Sequence, residues 1–529
     1  MRKKFSIGNL SLPTYLALAA TLGLIYLAVA AWGFGVVGFP LDDAWIHQTY
    51  ARNLARSGQL AFVPGVPSAG STAPLWSLLL AVGYLLRVPF FIWSYGLGLL
   101  LLGLTGWTTK RLGEALFPDS PRVGLWAGLF CVLEWHHVWA ALSGMETLLF
   151  VWLSLFLVER SLAWLTVERP PPRFGYFSLG ILGGLLILTR PEGVGLVGLI
   201  GLYLAYQIWR QDAGRAMLTV LLKHWGAMSA GVALLVVPYL IFHLWATGLP
   251  FPNTFYAKQA EYGIILERFS LAERLFGGLG PVQESVQGVF RVIFIGPQLL
   301  LLPGLIFAAW LTLRERRTNL GPIWVWWLSF LLLYALRLPV TYQHGRYQIP
   351  ALAWLILVGV WGTNRLIGQP VASAGGQAAL RIVGRTLALS LMVLLVGFTF
   401  LGGQAYGRDV AVINGEMVTV AQWLDAHTEP ETLIAAHDIG AIGYFAERPL
   451  IDLAGLVTPE VIPIIRDEAA LLKFMQVHGA RYMVTFPSWY PALTQNPVLI
   501  LRFQTDSPVT RAAGGDNMAV YEVEPLTKP

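Results

Sequence analysis

Apolar runs of spanning length recur along most of this 529-residue chain, near 14–36, 74–108, 123–142, 146–165, 176–189, 192–209, 224–245, 289–312, 321–338, 348–366 and 386–403. A helix that crosses a bilayer needs about 20 such residues. Hydrophobic residues make up 56% of the chain and charged residues 12%, against roughly 25% charged in a soluble domain. Water could not host that much apolar surface, so the expected architecture is a polytopic helical bundle of about 11–13 spans. The run 74–108 is too long for one helix and is expected to hold two, broken around Arg87-Val88-Pro89, because a residue before proline is pushed out of the helical region. The 21 tryptophans suit rings placed at headgroup level. The basic start, Met1 to Lys4, precedes an apolar run from Tyr15 to Val37 that is too long for a signal-peptide core. It is expected to be a retained first helix with its N-terminus in the cytoplasm.

Lys and Arg in short loops set orientation. Arg160, Arg169 and Arg173 mark one cytoplasmic loop. Arg210, Arg215 and Lys223 mark a second, Arg314, Arg316 and Arg317 a third, and Arg365, Arg381 and Arg385 a fourth. The opposite face then carries 37–73, 143–146, 190–192, 246–288, 339–347 and everything after 404. Two full crossings within 74–108 would put Lys110 and Arg111 on the wrong side, so a half-helix or a miscounted neighbour is expected there. After Gln404 the chain mixes charge, proline and short apolar stretches. Thr432–Ala436, Arg481–Thr485 and Ala519–Val523 read as strands and Asp467–His478 as a helix. The expected division is a membrane module, 1–404, and a small extracytoplasmic α/β domain, 405–529. Segment 369–379 reads as a short Gly/Ala/Gln loop. The single cysteine, Cys131, rules out a disulfide within the chain and argues against a cysteine metal site. The net charge of +6 is scattered, with no dense basic tract, so nucleic acid is not an expected partner. No Walker loop or Rossmann glycine fingerprint supports a cytoplasmic nucleotide-sugar donor.

The first outer loop holds the most chemistry. In Asp42-Asp43-Ala44-Trp45-Ile46-His47-Gln48-Thr49-Tyr50-Ala51-Arg52-Asn53-Leu54, residues Ile46, Tyr50 and Leu54 form one apolar stripe of a helix. That helix is expected to lie along the membrane surface. An aspartate at its start is a good N-cap. Two adjacent ones leave one free to face a site and take a proton from a hydroxyl. Gly65, Gly70, Ser71 and Thr72 suit turns, and Pro74 suits the first turn of the next helix. Arg190 and Glu192 sit between two apolar runs, either as a structural pair or in a functional site. Glu146, just outside a helix, reads as a structural residue at a helix start. Lys258 and Asn253 lie in an outer loop, where a cation suits a lipid-linked phosphate. His344, Arg346 and Tyr347 also face outward, and Arg346 is a second phosphate candidate because arginine binds its oxygens in bidentate fashion. His136 and His137, near Trp135 and Trp139, read as interfacial anchors rather than metal ligands. Asp438 and Asp452 read as turn residues.

The string Asp-Asp-Ala-Trp-Ile-His from Asp42, followed by Tyr50-Ala51-Arg52-Asn53-Leu54 and by Gly70-Ser71-Thr72 with Pro74-Leu75-Trp76, resembles the first periplasmic loop of GT-C fold glycosyltransferases. The resemblance is greatest to bacterial relatives of the mycobacterial arabinofuranosyltransferases. It is more distant to the protein-O-mannosyltransferase and aminoarabinose-transferase families. Ser143-Gly144-Met145-Glu146-Thr147, Thr189-Arg190-Pro191-Glu192-Gly193, Pro252 to Lys258, Gly345-Arg346-Tyr347, and Asp438 to Tyr444 with Asp452 agree in order. The resemblance implies an enzyme of the inner membrane that moves a sugar from a polyprenyl-phosphate donor to a hydroxyl of a glycan, lipid or protein acceptor on the outer face. It implies that Asp42 and Asp43 are catalytic, one as base and one orienting it or holding a divalent metal ion. Arg52, Asn53, Glu146, Arg190, Glu192, Asn253, Lys258, His344, Arg346 and Tyr347 are then the expected substrate-binding residues. Thr49 departs from the family, where many members carry arginine. If that arginine meets phosphate in them, Arg52 or Lys258 must do so here. A transporter of lipid-linked saccharides is the alternative reading. It expects broken polar helices in matching halves, and the sequence lacks such paired segments.

Overall fold

The computed structural model describes residues 10–66, 68, 70–120, 122–165, 173–211, 216–278, 287–369 and 373–525. The basic start and the loop residues Arg169 and Arg215 lie outside them. Seven of the described helices are long and apolar enough to cross a membrane: Leu12–Phe34, Phe90–Leu116, Leu218–Thr247, Pro297–Arg314, Thr318–Arg337, Tyr342–Ile367 and Gly375–His427. An eighth span is possible by joining Trp135–Leu142 to Thr147–Ala163, which are bent by 119° at their junction. Pro74–Leu85, Arg122–Leu133 and Phe174–Thr189 are apolar but shorter. The chain is therefore a multi-pass membrane protein. Fewer described helices qualify than the 11–13 spans expected because Pro74–Leu85, Arg122–Leu133 and Phe174–Thr189 are shorter than a span and one pair is bent. The run 123–142 stops after Leu133, where the Glu134 carboxylate accepts from the His137 N–H, 3.0 Å away, and starts a new helix.

The doubled run 74–108 breaks where expected. Pro74–Leu85 ends before Arg87, whose φ is 57°, and the next helix starts after Pro89. Twelve residues rise about 18 Å, well short of a hydrocarbon core of roughly 30 Å. This half-helix removes the conflict at Lys110 and Arg111. Arg111 pairs with Glu159 at 2.7 Å, Arg317 with Asp119 at 3.8 Å, and Arg365 with Glu315 at 2.7 Å. Glu315 thus joins the third and fourth of the expected basic loops, through Arg317 and Arg365.

The first-loop helix, Asp42–Ser57, forms as expected but is not an interfacial helix with one wet side. Asp42, Ala44, Trp45 and the whole stretch His47–Asn53 are buried, while Ile46 and Leu54 of the apolar stripe are only partly so. The helix is covered by protein on both sides. Trp45 is ringed by Phe39, Phe90, Phe91, Tyr444 and Phe445, with centroids 4.7–5.8 Å away. Buried Gln48 donates to Ser94 and accepts from Tyr84, each at 2.8 Å. Buried polar groups are tolerated when paired in this way.

The C-terminal region is a five-stranded sheet in the order β2-β1-β3-β5-β4. β1 is Ile434–Ala436, β2 Leu450–Asp452, β3 Tyr482–Thr485, β4 Leu499–Gln504 and β5 Ala519–Val523. β1 pairs in parallel with β2 and β3, and β5 runs antiparallel to β3 and β4. A helix, Glu468–Val477, precedes β3, and Asp467 caps it. The helix that begins at Ala374, inside the expected loop 369–379, runs to Ile413 and continues through a wide turn, Asn414–Val418, into Thr419–His427. It passes residue 404 without a break, so the bundle reaches the sheet through a continuous rod.

Glu416 fastens that rod to the sheet. It is fully buried, and its carboxylate accepts from the Asn517 side chain and the Met518 N–H, both at 2.8 Å, and from the Thr505 hydroxyl. Glu416→Leu removes the acceptor, strands the Met518 N–H and leaves the Thr505 hydroxyl and the Asn517 amide with only their longer bonds to backbone carbonyls. It should destabilise the region by roughly 2–4 kcal/mol, read as an earlier unfolding midpoint in detergent. Glu416→Gln, which keeps one oxygen, should lose about half of that.

Candidate functional site

The adjacent aspartates at the start of the first-loop helix have separate surroundings. Leu41, not an aspartate, is the cap residue, and it makes no side-chain cap bond. Asp42 caps a different helix: Oδ2 accepts from the Gly440 N–H at 2.6 Å and Oδ1 from the Ala441 N–H at 2.8 Å. A Cβ at Gly440 would lie 2.1 Å from the Asp42 carbonyl oxygen, so only glycine permits the approach. Burial pushes the Asp42 carboxyl up, the two amides and a third effect from Asp43 work against and with it respectively, and the result is about 7. Asp42 is thus a latch between the first loop and the C-terminal region.

Asp43 lines a cavity of about 380 Å³ between the first loop, the helix Asn253–Arg268 and the loop before Leu352. Its Oδ2 accepts from Arg346 Nη2 at 2.6 Å. Burial pushes the Asp43 carboxyl up, but the charges of Arg346 and Lys258 and the Arg346 hydrogen bond outweigh it and hold the group at about 2. Arg346 Nη2 also donates to the Tyr347 hydroxyl at 2.9 Å. Arg346 is buried, yet Nε and Nη1 have no partner among the described residues. Lys258 meets the same Tyr347 hydroxyl and lies over its ring. Although burial disfavours the ammonium, Tyr347 and other neighbours hold its pKa up. Lys258 and Arg346 therefore converge on one phenol beside one carboxylate.

The deeper wall carries a second charged group. Arg190 Nη2 donates to the Tyr334 hydroxyl at 2.7 Å and to Glu192 at 3.4 Å, and its Nε lies 3.8 Å from Glu146. Tyr334 also bonds Glu192. Glu146 faces His47 Nε2 at 3.6 Å. Burial lowers the His47 pKa, with Glu146 and Asp43 opposing. Glu146, Arg190 and Glu192 all line the cavity, so each has a place in the site beyond its helix end. His47 and Tyr334 belong with them. His47 stood inside the first-loop motif without an assigned role, and Tyr334 had no signal beyond a polar ring in an apolar helix.

Four expected binding residues lie elsewhere. Arg52 donates to the Tyr444 carbonyl at 2.6 Å, Glu447 at 2.7 Å and the Gly443 carbonyl at 3.2 Å. It pins the C-terminal region to the first loop and does not supply the missing cation near Thr49; Lys258 and Arg346 are the cations beside Asp43. Asn53 donates to the Ala61 and Phe62 carbonyls and shapes its own loop. Asn253 is buried at the start of its helix, next to the lining residues Pro252 and Thr254. His344 Nε2 bonds Asp409 at 2.8 Å, among Trp135 and Trp139. His136 and His137 are buried within the bundle, bonded to Glu134 and to the Cys131 carbonyl, and are not interfacial. Asp452 is a turn residue, accepting from the Ala454 and Val457 N–H groups at 2.8 Å. Asp438 has one buried oxygen with no partner among the described residues.

Among the described residues no three His, Cys, Asp or Glu side chains are placed to hold a metal ion. Both Asp42 oxygens are committed to amides, which leaves Asp43 as the carboxylate of that pair facing the cavity.

Residues 408–521 match a domain of unknown function, DUF8728. No curated protein matches the chain by sequence. Solved structures match over nearly all of it. ArnT from Cupriavidus metallidurans, bound to undecaprenyl phosphate, aligns at a TM-score of 0.58 and 15% identity over 97% of this chain and 98% of that one. The Archaeoglobus fulgidus oligosaccharyltransferase aligns at 0.57 and 11% identity over 89% of this chain and 69% of that one. Arabinofuranosyltransferase AftD from Mycobacteria aligns at 0.51 and 16% identity over 98% of this chain and 40% of that one. The fold is the GT-C fold of membrane glycosyltransferases.

The Asp42 latch has a pH signature. Its folded value, about 7, lies above the usual carboxylate value, so the native state holds the proton more tightly than the unfolded chain. Asp42's contribution is complete below about pH 4 and is lost as pH rises through about 7. Wild type should therefore lose thermal stability relative to Asp42→Asn as pH rises from about 4 to about 7, measured as the difference of their unfolding midpoints.

Proposed function

We propose that this chain is a glycosyltransferase of the bacterial inner membrane that moves a sugar from a polyprenyl-phosphate carrier to an acceptor hydroxyl on the outer face. One observation carries the reading: buried Arg346 holds two nitrogens without a partner among the described residues, beside Lys258, in a cavity that also holds an ionised carboxylate. Unpaired donors on a buried guanidinium are costly unless a ligand satisfies them. A phosphate diester is the ligand whose oxygens suit that pair of cations. The wide apolar part of the same cavity, lined by Ile46, Val194, Phe251, Phe255, Leu333 and Leu338, suits the first isoprene units. The likeness to ArnT, solved with undecaprenyl phosphate, supports this choice of carrier.

The chemistry follows from the charges. The acceptor oxygen attacks the anomeric carbon, the bond from that carbon to the phosphate oxygen breaks, and the phosphate leaves with the electron pair. Arg346 and Lys258 neutralise the charge that develops on it. The acceptor proton passes to Asp43. With the site empty of donor, Arg346 and Lys258 make Asp43 a poor base. A bound phosphate offsets those two charges, so the proton affinity of Asp43 rises when donor is in place. Glu146, Arg190, Glu192 and His47 form a charged wall that can orient the sugar. If a divalent ion is used, Asp43 would hold it, and it would supply further charge neutralisation for the leaving phosphate.

The test is turnover. Purified protein in nanodiscs is incubated with a panel of polyprenyl-phosphate sugars and acceptors, and released polyprenyl phosphate is measured by mass spectrometry. Wild type should release it with at least one donor. Asp43→Asn should lose about 10²–10⁴-fold in rate, whereas Asp42→Asn should lose activity only as far as it loses fold. An EDTA arm reads the metal requirement. Equal release by Asp43→Asn and wild type would remove Asp43 from the chemistry.

A further inference from the structure

The residues that carry Arg346 and Tyr347 have an unusual backbone. Gln343 and His344 have φ of 53° and 59°, and Gly345 follows at 68°. Three left-handed residues in a row are disfavoured for side chains other than glycine. A Cβ at Gly345 would meet Val292 at 2.7 Å. Such a turn persists only when its surroundings over-determine it. The His344 ring supplies the restraint. It stands edge-on to Trp135 and Trp139, at 5.2 and 5.4 Å, and its Nε2–H donates to Asp409 Oδ2 at 2.8 Å. A carboxylate only accepts, so the imidazole is the donor. The same Oδ2 accepts from Trp139 Nε1 at 2.9 Å. Asp409 stands on the long rod, Ala374–Ile413, and none of these clamp residues lines the cavity.

We propose that Asp409, His344 and Trp139 are positioning residues: they clamp the left-handed turn so that Arg346 and Tyr347 meet the donor phosphate. The inference rests on the phosphate reading of Arg346. It adds that the rod carrying the C-terminal region also sets the geometry of the phosphate site, through one carboxylate oxygen. Because one oxygen accepts both bonds, a neutral amide oxygen can replace it, and Asp409→Asn should retain the clamp. Asp409→Ala should not. His344→Gly keeps the left-handed backbone and removes only the ring, which separates backbone strain from the clamp.

The experiment has two readouts on the full-length protein in nanodiscs. The first is backbone hydrogen exchange of peptides covering 339–351, which needs no activity. Asp409→Ala and His344→Gly should speed exchange there while other bundle peptides keep wild-type rates, and Asp409→Asn should restore protection. The second is donor kinetics, with the affinity for polyprenyl phosphate itself measured alongside. Asp409→Ala and His344→Gly should lower kcat/KM roughly ten- to hundred-fold, mainly through KM, with a parallel loss of polyprenyl-phosphate affinity, and Asp409→Asn should recover most of both. Unchanged exchange in Asp409→Ala overturns the clamp. Faster exchange with unaltered KM and affinity overturns its positioning role. If wild type turns over no donor, the transfer reading fails by itself, and the clamp is judged on exchange and phosphate affinity.

Discussion

One guanidinium organises the site. Arg346 uses a single nitrogen to hold both Asp43 and Tyr347, and its other two nitrogens are buried without a partner among the described residues. The pair it makes with Asp43 keeps the carboxylate charged and fixes the start of the first-loop helix against the loop from the far half of the chain. Lys258 adds a second positive charge on the same phenol. The result is a compact cationic pole with one carboxylate built into it, and its three charged members, Asp43, Lys258 and Arg346, come from different parts of the sequence.

That pole depends on the first-loop helix being buried, and the C-terminal region buries it. Asp42 bonds two amides of the segment at 440–441, Arg52 bonds its carbonyls at 443 and 444, and Trp45 packs on Tyr444 and Phe445. Fully buried Asp452, by contrast, only folds its own turn. The adjacent aspartates thus have different surroundings. Asp42 bonds the C-terminal region, and its neighbour faces the cavity. A helix with so many buried polar groups is stable only because nearly every group finds a partner.

The sequence made the membrane bundle, the paired helices across 74–108 and β5 legible, because long apolar runs, an X-Pro break and a strand of Ala-Val-Tyr-Glu-Val are local signals. Edge strands β2 and β4 were not legible. β2 is three residues long, and the exposed Leu501-Arg502 of β4 breaks its alternation. The site divided along the same line. Lys258, Arg346 and Arg190, which line the cavity, were legible as charges beside apolar helix ends, Asp43 as one of an adjacent pair, and Glu146 only through the family resemblance. Arg52 looked equivalent, but its partners lie 391–395 residues away, and no local pattern carries that distance. His344 is two residues from Arg346, yet a left-handed backbone places its ring among tryptophans. That conformation is not readable from Gln-His-Gly alone.

The most direct measurement of the central claim is the affinity of the purified protein for polyprenyl phosphate against polyprenol of the same length. Arg346, with two nitrogens unpartnered among the described residues, predicts that the phosphate binds at least about tenfold more tightly, a difference of roughly 1.4 kcal/mol or more, and that Arg346→Ala erases the preference. Equal affinity for the two lipids in wild type would contradict the account, because the cationic pole would then have no phosphate to hold.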